Sequence, residues 1–379
     1  MSKHAYLSAS ASHRWLACPP SAKLCAQEED QSSPYAMQGT CAHELCQYLV
    51  EKALGRNPRD PTEDLSFYDA EMQEAAEGYC AFVMEQISEA RKFCKDPLVC
   101  VEQTLDFSKW VEHGFGTGDC VIVADDLLHI IDMKYGVGVL VSASGEDGTG
   151  NSQLKCYALG ALDTFGDLYG IKRVRLSIYQ PRRGNVDSFD LTVTELLDWA
   201  DNVLAPTAKL AYEGAGDFQA GDHCQFCKVR ATCRARADFN MALARYDFVA
   251  PPMLDNDEIA EILPQVDALV SWAEDVKAYA LQQALAGVRY PHFKLVEGRS
   301  VRKYSDEDAV ARIVEQAGFD PYERKVMGIT AMTKQLGKKR FDELLGGLIV
   351  KPEGKPVLVP DTDKRAEYNT AATDFKMEE

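Results

Sequence analysis

The stretch that decides the fold lies between Gly116 and Lys134 and reads GTGDCVIVADDLLHIIDMK. Two runs of branched aliphatic residues, separated by Asp125-Asp126, predict two strands joined by a tight hairpin. Alternate side chains of a strand project from the same face, so Asp132 and Lys134 share a face of the second strand with Leu128 and Ile130. That face is apolar until it reaches the acid and the lysine.

Charged side chains at the end of a buried strand are costly unless they are paired or bind a ligand. The hairpin would bring Asp119, at the start of the first strand, close to Asp132. Two carboxylates beside a lysine form a site for a hard divalent cation, and this arrangement suits phosphodiester hydrolysis. Taken alone, an Asp-x-Lys triplet is more often an exposed pair on an edge strand, so the interpretation depends on the rest of the chain.

The surrounding sequence predicts an α/β core. Further strand patterns occur at 98–105 and 174–179, and helical patterns occur at 38–54, 70–94, 153–168 and 192–213. A Gly/Ser/Asp-rich segment at 142–152 is expected to be a loop. These elements favour a mixed central sheet flanked by helices, with residues 1–248 as the core domain.

Residues 249–379 are predicted to form a mostly helical C-terminal extension. The region begins with a linker-like sequence at 249–254, and helical patterns follow at 256–286, 304–317 and 331–346. The polar, proline-containing tail at 351–379 is expected to be partly irregular. No chemical motif in this region indicates its role.

The composition is that of an ordinary globular protein, with 379 residues, 46% hydrophobic residues and 26% charged residues. No apolar run is long enough for a membrane span, and the N-terminus lacks the apolar core of a signal peptide, so we expect a cytoplasmic protein with no membrane partner. The net charge of −18 argues against a general nucleic-acid coat protein. Local basic runs remain at Arg182-Arg183 and from Lys228 to Arg236.

The chain contains 12 cysteines, and three of them form a C-x2-C-x5-C group at Cys224, Cys227 and Cys233. Zinc and iron–sulfur clusters both use four protein ligands, so a fourth must come from elsewhere. His223 is adjacent but geometrically awkward. Cys18 is the better candidate and Cys25 a weaker one. Other cysteines, such as Cys46, Cys120 and Cys156, lie in apolar patterns and are expected to be core residues.

The order of the motifs resembles the RecB-like branch of the PD-(D/E)XK nucleases, which have a restriction-endonuclease-like core. Four motifs carry the resemblance: Gly39-x-x-x-His43, Gly116-x-x-Asp119, Asp132-x-Lys134 and Gln153-x-x-x-Tyr157. The overall layout also resembles DUF2800-like proteins of phages and prophages.

The resemblance implies a role for each motif residue. The metal ligands would be His43, Asp119, Asp132 and the backbone carbonyl of Met133, and the metal would be Mg²⁺ or Mn²⁺. Lys134 would be the catalytic lysine, with Asp119 and Asp132 as catalytic acids. Gln153 and Tyr157, one helical turn apart, would position Lys134 or the substrate phosphate. Glu102, on the preceding strand, is a further candidate as an outer acid.

A subset of these nucleases, including the AddB nuclease domain, holds a 4Fe–4S cluster on one upstream cysteine and three downstream cysteines. The present chain is similar, with Cys18 upstream and Cys224, Cys227 and Cys233 downstream. The cluster would tie the N-terminal segment to the end of the nuclease core. Structural Zn²⁺ at the same ligands is the alternative, because cysteine spacing does not separate the two metals.

The expected function is a metal-dependent deoxyribonuclease, and specifically an exonuclease in phage DNA recombination or replication. Its partners would be DNA and a phage single-strand-binding or recombinase protein, and an oligomer is compatible with the sequence. The alternative is a catalytically silent DNA-binding scaffold that retains the nuclease fold. A third hypothesis, a redox-regulatory protein that senses oxidation at the Cys224 group, has no specific support in the sequence.

Overall fold

The computed structural model describes residues 5–29, 33–145, 147–243, 254–296, 304–322 and 326–350. The chain divides into two compact units, residues 1–295 and 296–379. The domain boundary expected at 248/249, and the linker at 249–254 apart from Leu254, lie outside the described residues, as does the tail from 351 onward.

A five-stranded mixed sheet lies at the centre of the first unit. Its strands are β1 (Leu98–Asp106), β2 (Phe115–Ala124), β3 (Leu127–Met133), β4 (Arg173–Gln180) and β5 (Asn185–Thr192). They lie in sequence order across the sheet, antiparallel except for the parallel pair β3–β4. The hairpin at Asp125-Asp126 is confirmed, because Ala124 pairs with Leu127. The expectation of a mixed α/β architecture is thereby confirmed.

The sequence prediction missed β5, which is a correction to the expected order of elements. This strand lies at the edge of the sheet, and its side chains are mostly exposed or half-buried, with Leu191 as the buried exception. An edge strand of this kind, with Asp187, Ser188 and Asp190 in it, lacks the apolar run that identified the other strands.

Helices cover both faces of the sheet. In chain order, those preceding and surrounding the sheet are α1 (Ser12–Ala17), α2 (Ser21–Ala26), α3 (Pro34–Ala53), α4 (Ala70–Ala90), α5 (Ser152–Phe165), α6 (Val193–Trp199) and α7 (Ala205–Glu213). The helix predicted at 192–213 is therefore α6 and α7 joined by a π turn, Ala200–Leu204. Thr192 caps α6 and forms a capping box with Glu195.

Two hydrophobic cores lie on opposite faces. On one face α3 and α4 pack against alternate residues of β2 and β3, with Leu45, Tyr79, Ile122 and Met133 buried among them. On the other face α5 crosses β1 to β4, and the core there is completed by α1, α6 and α7. Residues from α3 and from α5 therefore approach the sheet from opposite sides.

The remaining helices are α8 (Arg234–Met241), α9 (Asn256–Leu285), α10 (Glu307–Gln316), α11 (Ile329–Leu336) and α12 (Lys338–Leu345). Within the first unit, α9 is joined to α8 by Asp275, which pairs with Arg230 at 2.8 Å and with Arg236 at 2.5 Å. The single helix predicted at 331–346 is wrong: α11 and α12 are separated at Gly337, whose φ of +74° is incompatible with a continuous helix. Among the described residues, no helix is long and apolar enough to cross a membrane.

Candidate functional site

The candidate site lies on β2 where its ladder to β3 ends and its ladder to β1 is interrupted by one pair. The β2–β3 ladder ends with Cys120 opposite Ile131. On the other side, Cys120 pairs with Val101 and Gly118 pairs with Gln103, so the ladder omits the intervening pair, Glu102 and Asp119. Asp119 instead accepts the Met133 backbone N–H at 2.6 Å through Oδ2, and its side chain replaces the missing ladder bond to β3. The regular ladder of backbone hydrogen bonds is therefore interrupted around the Asp119 carboxylate.

Glu102 lies opposite Asp119 in an unusual backbone conformation. Its φ of +50° is in the left-handed region, which is unfavourable for a residue with a Cβ. Such strain costs on the order of 1–3 kcal/mol and is found mainly at functional sites. The conformation places the Glu102 carboxylate beside Asp119.

His43 reaches the same place from α3. Its Nδ1 atom lies 3.2 Å from Asp119 Oδ1. One ligand atom from each of His43, Glu102 and Asp119 lies within 4.8 Å of the other two. Because a divalent cation binds nitrogen and oxygen donors at about 2.0–2.4 Å, donors this close to one another can share one ion. The donor set of one imidazole and two carboxylates is therefore one that a divalent cation can bind.

A second polar group, built by β3 and α5, adjoins these donors. Lys134 Nζ lies 2.8 Å from Asp132 Oδ2 and donates to Gln153 Oε1 at 2.9 Å. The Gln153 amide donates to Asp132 Oδ1 at 3.2 Å and to the Tyr157 hydroxyl at 3.1 Å. The lysine ammonium is therefore held between a carboxylate and an amide that are themselves fixed in position.

The two carboxylates of the motif have opposite protonation tendencies. Burial raises the pKa of Asp119, but the His43 charge and the hydrogen bonds from His43 and Met133 outweigh it and hold the pKa below its usual range. Burial also raises the pKa of Asp132, and there the attraction of Lys134 does not compensate. The Asp119 charge raises the pKa of His43 to about 9. Burial and then the Asp119 charge raise the pKa of Glu102 to about 7. The donor group thus holds protons that a metal ion would displace.

Two glycines of the motifs have different roles. A Cβ at Gly116 would lie 2.7 Å from Cε1 of Tyr157, so a side chain there would displace the tyrosine ring. A Cβ at Gly39, in the motif that contains His43, would meet no atom within 4 Å. Gly116 is thus required for packing, whereas Gly39 borders open space next to the site.

The structure brings together the residues of all four motifs. His43, Asp119, Asp132, Lys134, Gln153 and Tyr157 form two connected polar groups, and the Met133 backbone joins them. The donor group differs from the expected ligand set in one respect. Glu102 completes it, while Asp132 is paired with Lys134. The available signal for Glu102 was its place opposite Asp119 in the strand register, which the sequence does not reveal directly.

The cysteine group lies at the junction of the N-terminal segment and the residues that follow α7. Helix α1, which Cys18 directly follows, contacts the short 3-10 helix Asp222–Phe226 that carries Cys224. Cys18, Cys25, Cys224 and Cys227 are buried, and Cys233 is half-buried. Cys224 and Cys227 are joined by a tight turn in which Cys227 N–H donates to the Cys224 carbonyl at 3.0 Å.

Cys25 makes the shortest contact within this group. Its sulfur lies 3.7 Å from that of Cys227 and accepts the Lys228 backbone N–H at 3.3 Å. The Cys227 hydrogen bond lowers the pKa of Cys25 to about 6. Around tetrahedral zinc, with Zn–S bonds of about 2.3 Å, neighbouring sulfurs lie about 3.8 Å apart. The Cys25–Cys227 distance is therefore one that two zinc ligands would also have. The expected core cysteines, Cys46, Cys120 and Cys156, are confirmed as buried.

Comparison with known proteins gives a family and a distant structural likeness. A solved structure described as "Crystal structure of SSO0001" is similar over 51% of this chain and 95% of that chain, with 12% sequence identity and a TM-score of 0.24. A likeness at this level assigns no residue, ligand or activity. Residues 4–366 match the family described as "Protein of unknown function (DUF2800)". Since this match spans nearly the entire sequence, the chain belongs to the DUF2800 family.

Proposed function

We propose that this protein is a metal-dependent nuclease of the RecB-like PD-(D/E)XK type that hydrolyses phosphodiester bonds in DNA. The observation that carries the proposal is the close approach of His43, Glu102 and Asp119, within 4.8 Å of one another, beside the Lys134–Asp132 pair. A cation site next to a fixed ammonium group is the minimum that metal-assisted phosphodiester hydrolysis requires.

The site residues divide the chemistry between them. His43, Glu102 and Asp119 would hold Mg²⁺ or Mn²⁺, and Asp132, expected as a further ligand, pairs with Lys134 beside them. The bound ion would polarise the scissile phosphate and the attacking water. Lys134, held by Asp132 and Gln153, donates to the phosphate and stabilises the negative charge that develops on it. Tyr157 fixes Gln153 and so maintains the direction of the lysine.

The same proposal covers the cysteine group and the biological setting. Cys18, Cys224, Cys227 and Cys233 would hold a 4Fe–4S cluster that ties the N-terminal segment to the core, with structural Zn²⁺ as the alternative. The resemblance to phage and prophage proteins supports an exonuclease in DNA recombination or replication. A single-strand-binding or recombinase protein would then be the partner.

A cleavage assay tests the proposal. End-labelled linear DNA and circular DNA are incubated with the protein and Mg²⁺ or Mn²⁺, comparing wild type with Lys134→Ala and Asp132→Asn. We expect loss of cleavage on the order of 10²-fold or more in both variants, because Lys134→Ala removes the ammonium that stabilises the reacting phosphate and Asp132→Asn removes the carboxylate that holds this ammonium in place. Degradation of linear but not circular DNA would support exonuclease action.

Asp126→Asn is the matched control. Asp126 lies in the turn at the other end of the same strand pair and forms an exposed ion pair with Arg173 at 2.8 Å. It should cleave like wild type. If wild type retains DNA but cuts none of the substrates with either metal, and Lys134→Ala retains DNA equally well, the chain is the silent DNA-binding scaffold and the nuclease proposal is wrong.

A further inference from the structure

A cavity of about 450 Å³ lies between α4 and the turn that joins β4 to β5. Its walls include Glu71 and Glu74 from α4, and Tyr179, Arg182, Asn185 and Val186 from the strands and their turn. Neither the metal donors nor the Lys134 group contributes to its walls. The motifs that identify the candidate active site therefore leave it unexplained.

The cavity adjoins the candidate active site through the sheet. Tyr179 in its wall is the β4 partner of Met133, the residue between Asp132 and Lys134. The Lys134 backbone N–H donates to the Tyr179 carbonyl at 2.9 Å. Because neighbouring strands lie about 4.8 Å apart, the backbone of the cavity wall is one strand away from that of Lys134. The side chains of Tyr179 and Tyr135 lie on the face covered by α3 and α4, from which His43 reaches the metal donors, whereas Lys134 meets Gln153 of α5 on the other face.

Arg182 is the cationic group of this cavity. Its guanidinium lies over the Tyr135 ring, 4.9 Å from the centroid, and Tyr135 directly follows Lys134. Its Nε atom pairs with Glu71 at 2.8 Å, and Nη1 donates to Gln38 Oε1 at 3.4 Å. Gln38 precedes Gly39, beside which there is open space. The arginine is thus held in place on the approach to the site.

The contacts of Arg182 leave it able to bind an anion. The Glu71 side chain is 59% exposed, so its ion pair with Arg182 is screened by water and contributes little stability. A phosphate can accept two parallel N–H hydrogen bonds from one guanidinium group. The stacking of Arg182 on the Tyr135 ring fixes the plane in which these N–H groups point. A phosphate can therefore replace Glu71 as the partner of Arg182.

We propose that Arg182 binds the phosphate next to the scissile one and that the cavity holds the unpaired nucleotide attached to it. The inference rests on the proposed nuclease function and deepens it by naming single-stranded DNA as the substrate. A volume of about 450 Å³ suits a ligand the size of one nucleotide, whereas a duplex is too wide to enter. The carboxylates of Glu71 and Glu74 and the amide of Asn185 are placed to meet the polar edge of a base.

The test measures DNA binding separately from cleavage. Fluorescence anisotropy is recorded with a labelled single-stranded oligonucleotide of about 20 nucleotides and with the matching duplex, in Ca²⁺ to prevent turnover. The proteins are wild type, Arg182→Ala, Arg182→Lys and Val186→Trp, which fills the cavity and leaves the charge in place. We expect tighter wild-type binding of the single strand, and a loss on the order of tenfold or more in Arg182→Ala and in Val186→Trp, with Arg182→Lys between wild type and Arg182→Ala.

Arg173→Ala is the control. Arg173 also forms one ion pair with a carboxylate, but it lies at the opposite end of β4. It should bind within about twofold of wild type, as exposed pairs contribute little. Equal binding by wild type and Arg182→Ala, an equal loss in Arg173→Ala, or no wild-type preference for the single strand would overturn the inference.

The outcomes separate the two proposals. If the wild-type protein cuts DNA and Arg182→Ala does not change its DNA affinity, the protein is a nuclease without this subsite. A protein that binds the single strand through Arg182 but cuts nothing has the subsite without the activity. A thermal unfolding curve for each variant shows whether weaker DNA binding comes from a lost contact or from unfolding of the protein. An affinity of Arg182→Lys between those of wild type and Arg182→Ala is a second sign that the contact itself is lost.

Discussion

Glu102 shows how a single residue can combine backbone strain, burial and charge at one site. Its φ of +50° lies in a region that a glutamate rarely adopts, and its carboxylate is placed beside Asp119 and His43. Burial and the Asp119 charge raise its pKa to about 7. A bound cation would stabilise the ionised Glu102 carboxylate, because it compensates both the hydration lost on burial and the repulsion from the Asp119 charge.

The first prediction concerns the pH dependence of metal binding. A metal ion must displace the protons of His43, whose pKa is about 9, and of Glu102, whose pKa is about 7. Between these values only the His43 proton is displaced, so Mn²⁺ affinity should fall about tenfold per pH unit as the pH is lowered. Below about pH 7 both protons compete, and the fall should approach about hundredfold per unit. Isothermal titration calorimetry from about pH 6 to about pH 8.5 measures the two slopes.

Glu102→Gln tests whether Glu102 carries the second proton, whose displacement would steepen the fall in Mn²⁺ affinity below about pH 7. The amide does not titrate, so the additional fall below about pH 7 should disappear, and the affinity above that pH should be weaker than in wild type. A wild-type affinity that does not change over this range would contradict the assignment of His43 and Glu102 as ligands. If the affinity of Glu102→Gln still falls about hundredfold per pH unit below about pH 7, the second proton belongs to another group.

At the scale of elements, the cysteine group connects parts of the chain that are distant in sequence. Helices α1 and α2 pack against α7, and α1 also contacts the 3-10 helix that carries Cys224. These are short helices of six residues, and their own hydrogen bonds are too few to hold them in place. A metal centre bound by Cys18 and the later cysteines would therefore fix the whole N-terminal segment against the core.

The second prediction identifies the metal and its fourth ligand. A 4Fe–4S cluster is wider than one ion and holds its thiolates farther apart than 3.7 Å, so Cys25 and Cys227 would not both bind it at this distance. We expect brown protein after anaerobic purification, with loss of iron in Cys18→Ser and Cys224→Ser but not in Cys25→Ser. Elemental analysis and the visible spectrum give the metal, and thermal unfolding gives the accompanying loss of stability.

Cys80→Ser is the control, because Cys80 is a half-buried thiol of α4 outside the cysteine group. It should keep its metal. Colourless protein that contains zinc and loses it in Cys25→Ser would contradict the iron–sulfur assignment, and would establish Cys25 rather than Cys18 as the fourth ligand.

The elements also show what the sequence could and could not predict. Apolar periodicity identified β1 to β4 and the helices α3 to α7, because these elements bury one continuous face, but it did not identify the short helices α1 and α2. It missed β5, whose pairing with β4 depends on the backbone rather than on an apolar face. The resemblance to the nuclease motifs predicted that Gln153 and Tyr157 lie beside Lys134. Glu102 was only a further candidate for an outer acid, because its position depends on the register between β1 and β2 and on one left-handed residue.

For the whole molecule, the excess of 59 acidic over 41 basic residues restricts where DNA can bind. A chain with a net charge of −18 repels a polyanion over most of its surface. On the proposed function, bound cations would reverse the local charge at the metal donors, and Lys134 and Arg182 would supply two further positive groups. DNA should therefore be held by few phosphate contacts, all close to the reacting bond.

The third prediction follows from that small number of contacts. Each phosphate neutralised on a single strand contributes about −0.7 to the slope of log affinity against log salt concentration. With Lys134 and Arg182 as the principal contacts, the wild-type slope should lie between about −1 and about −2 at constant Ca²⁺, and Arg182→Ala should make it less negative by about 0.7. Anisotropy titrations over a series of KCl concentrations measure both slopes, with Arg173→Ala expected to match wild type. A wild-type slope near −5 or steeper would require an extended basic surface, and would show that DNA binding is not confined to the site.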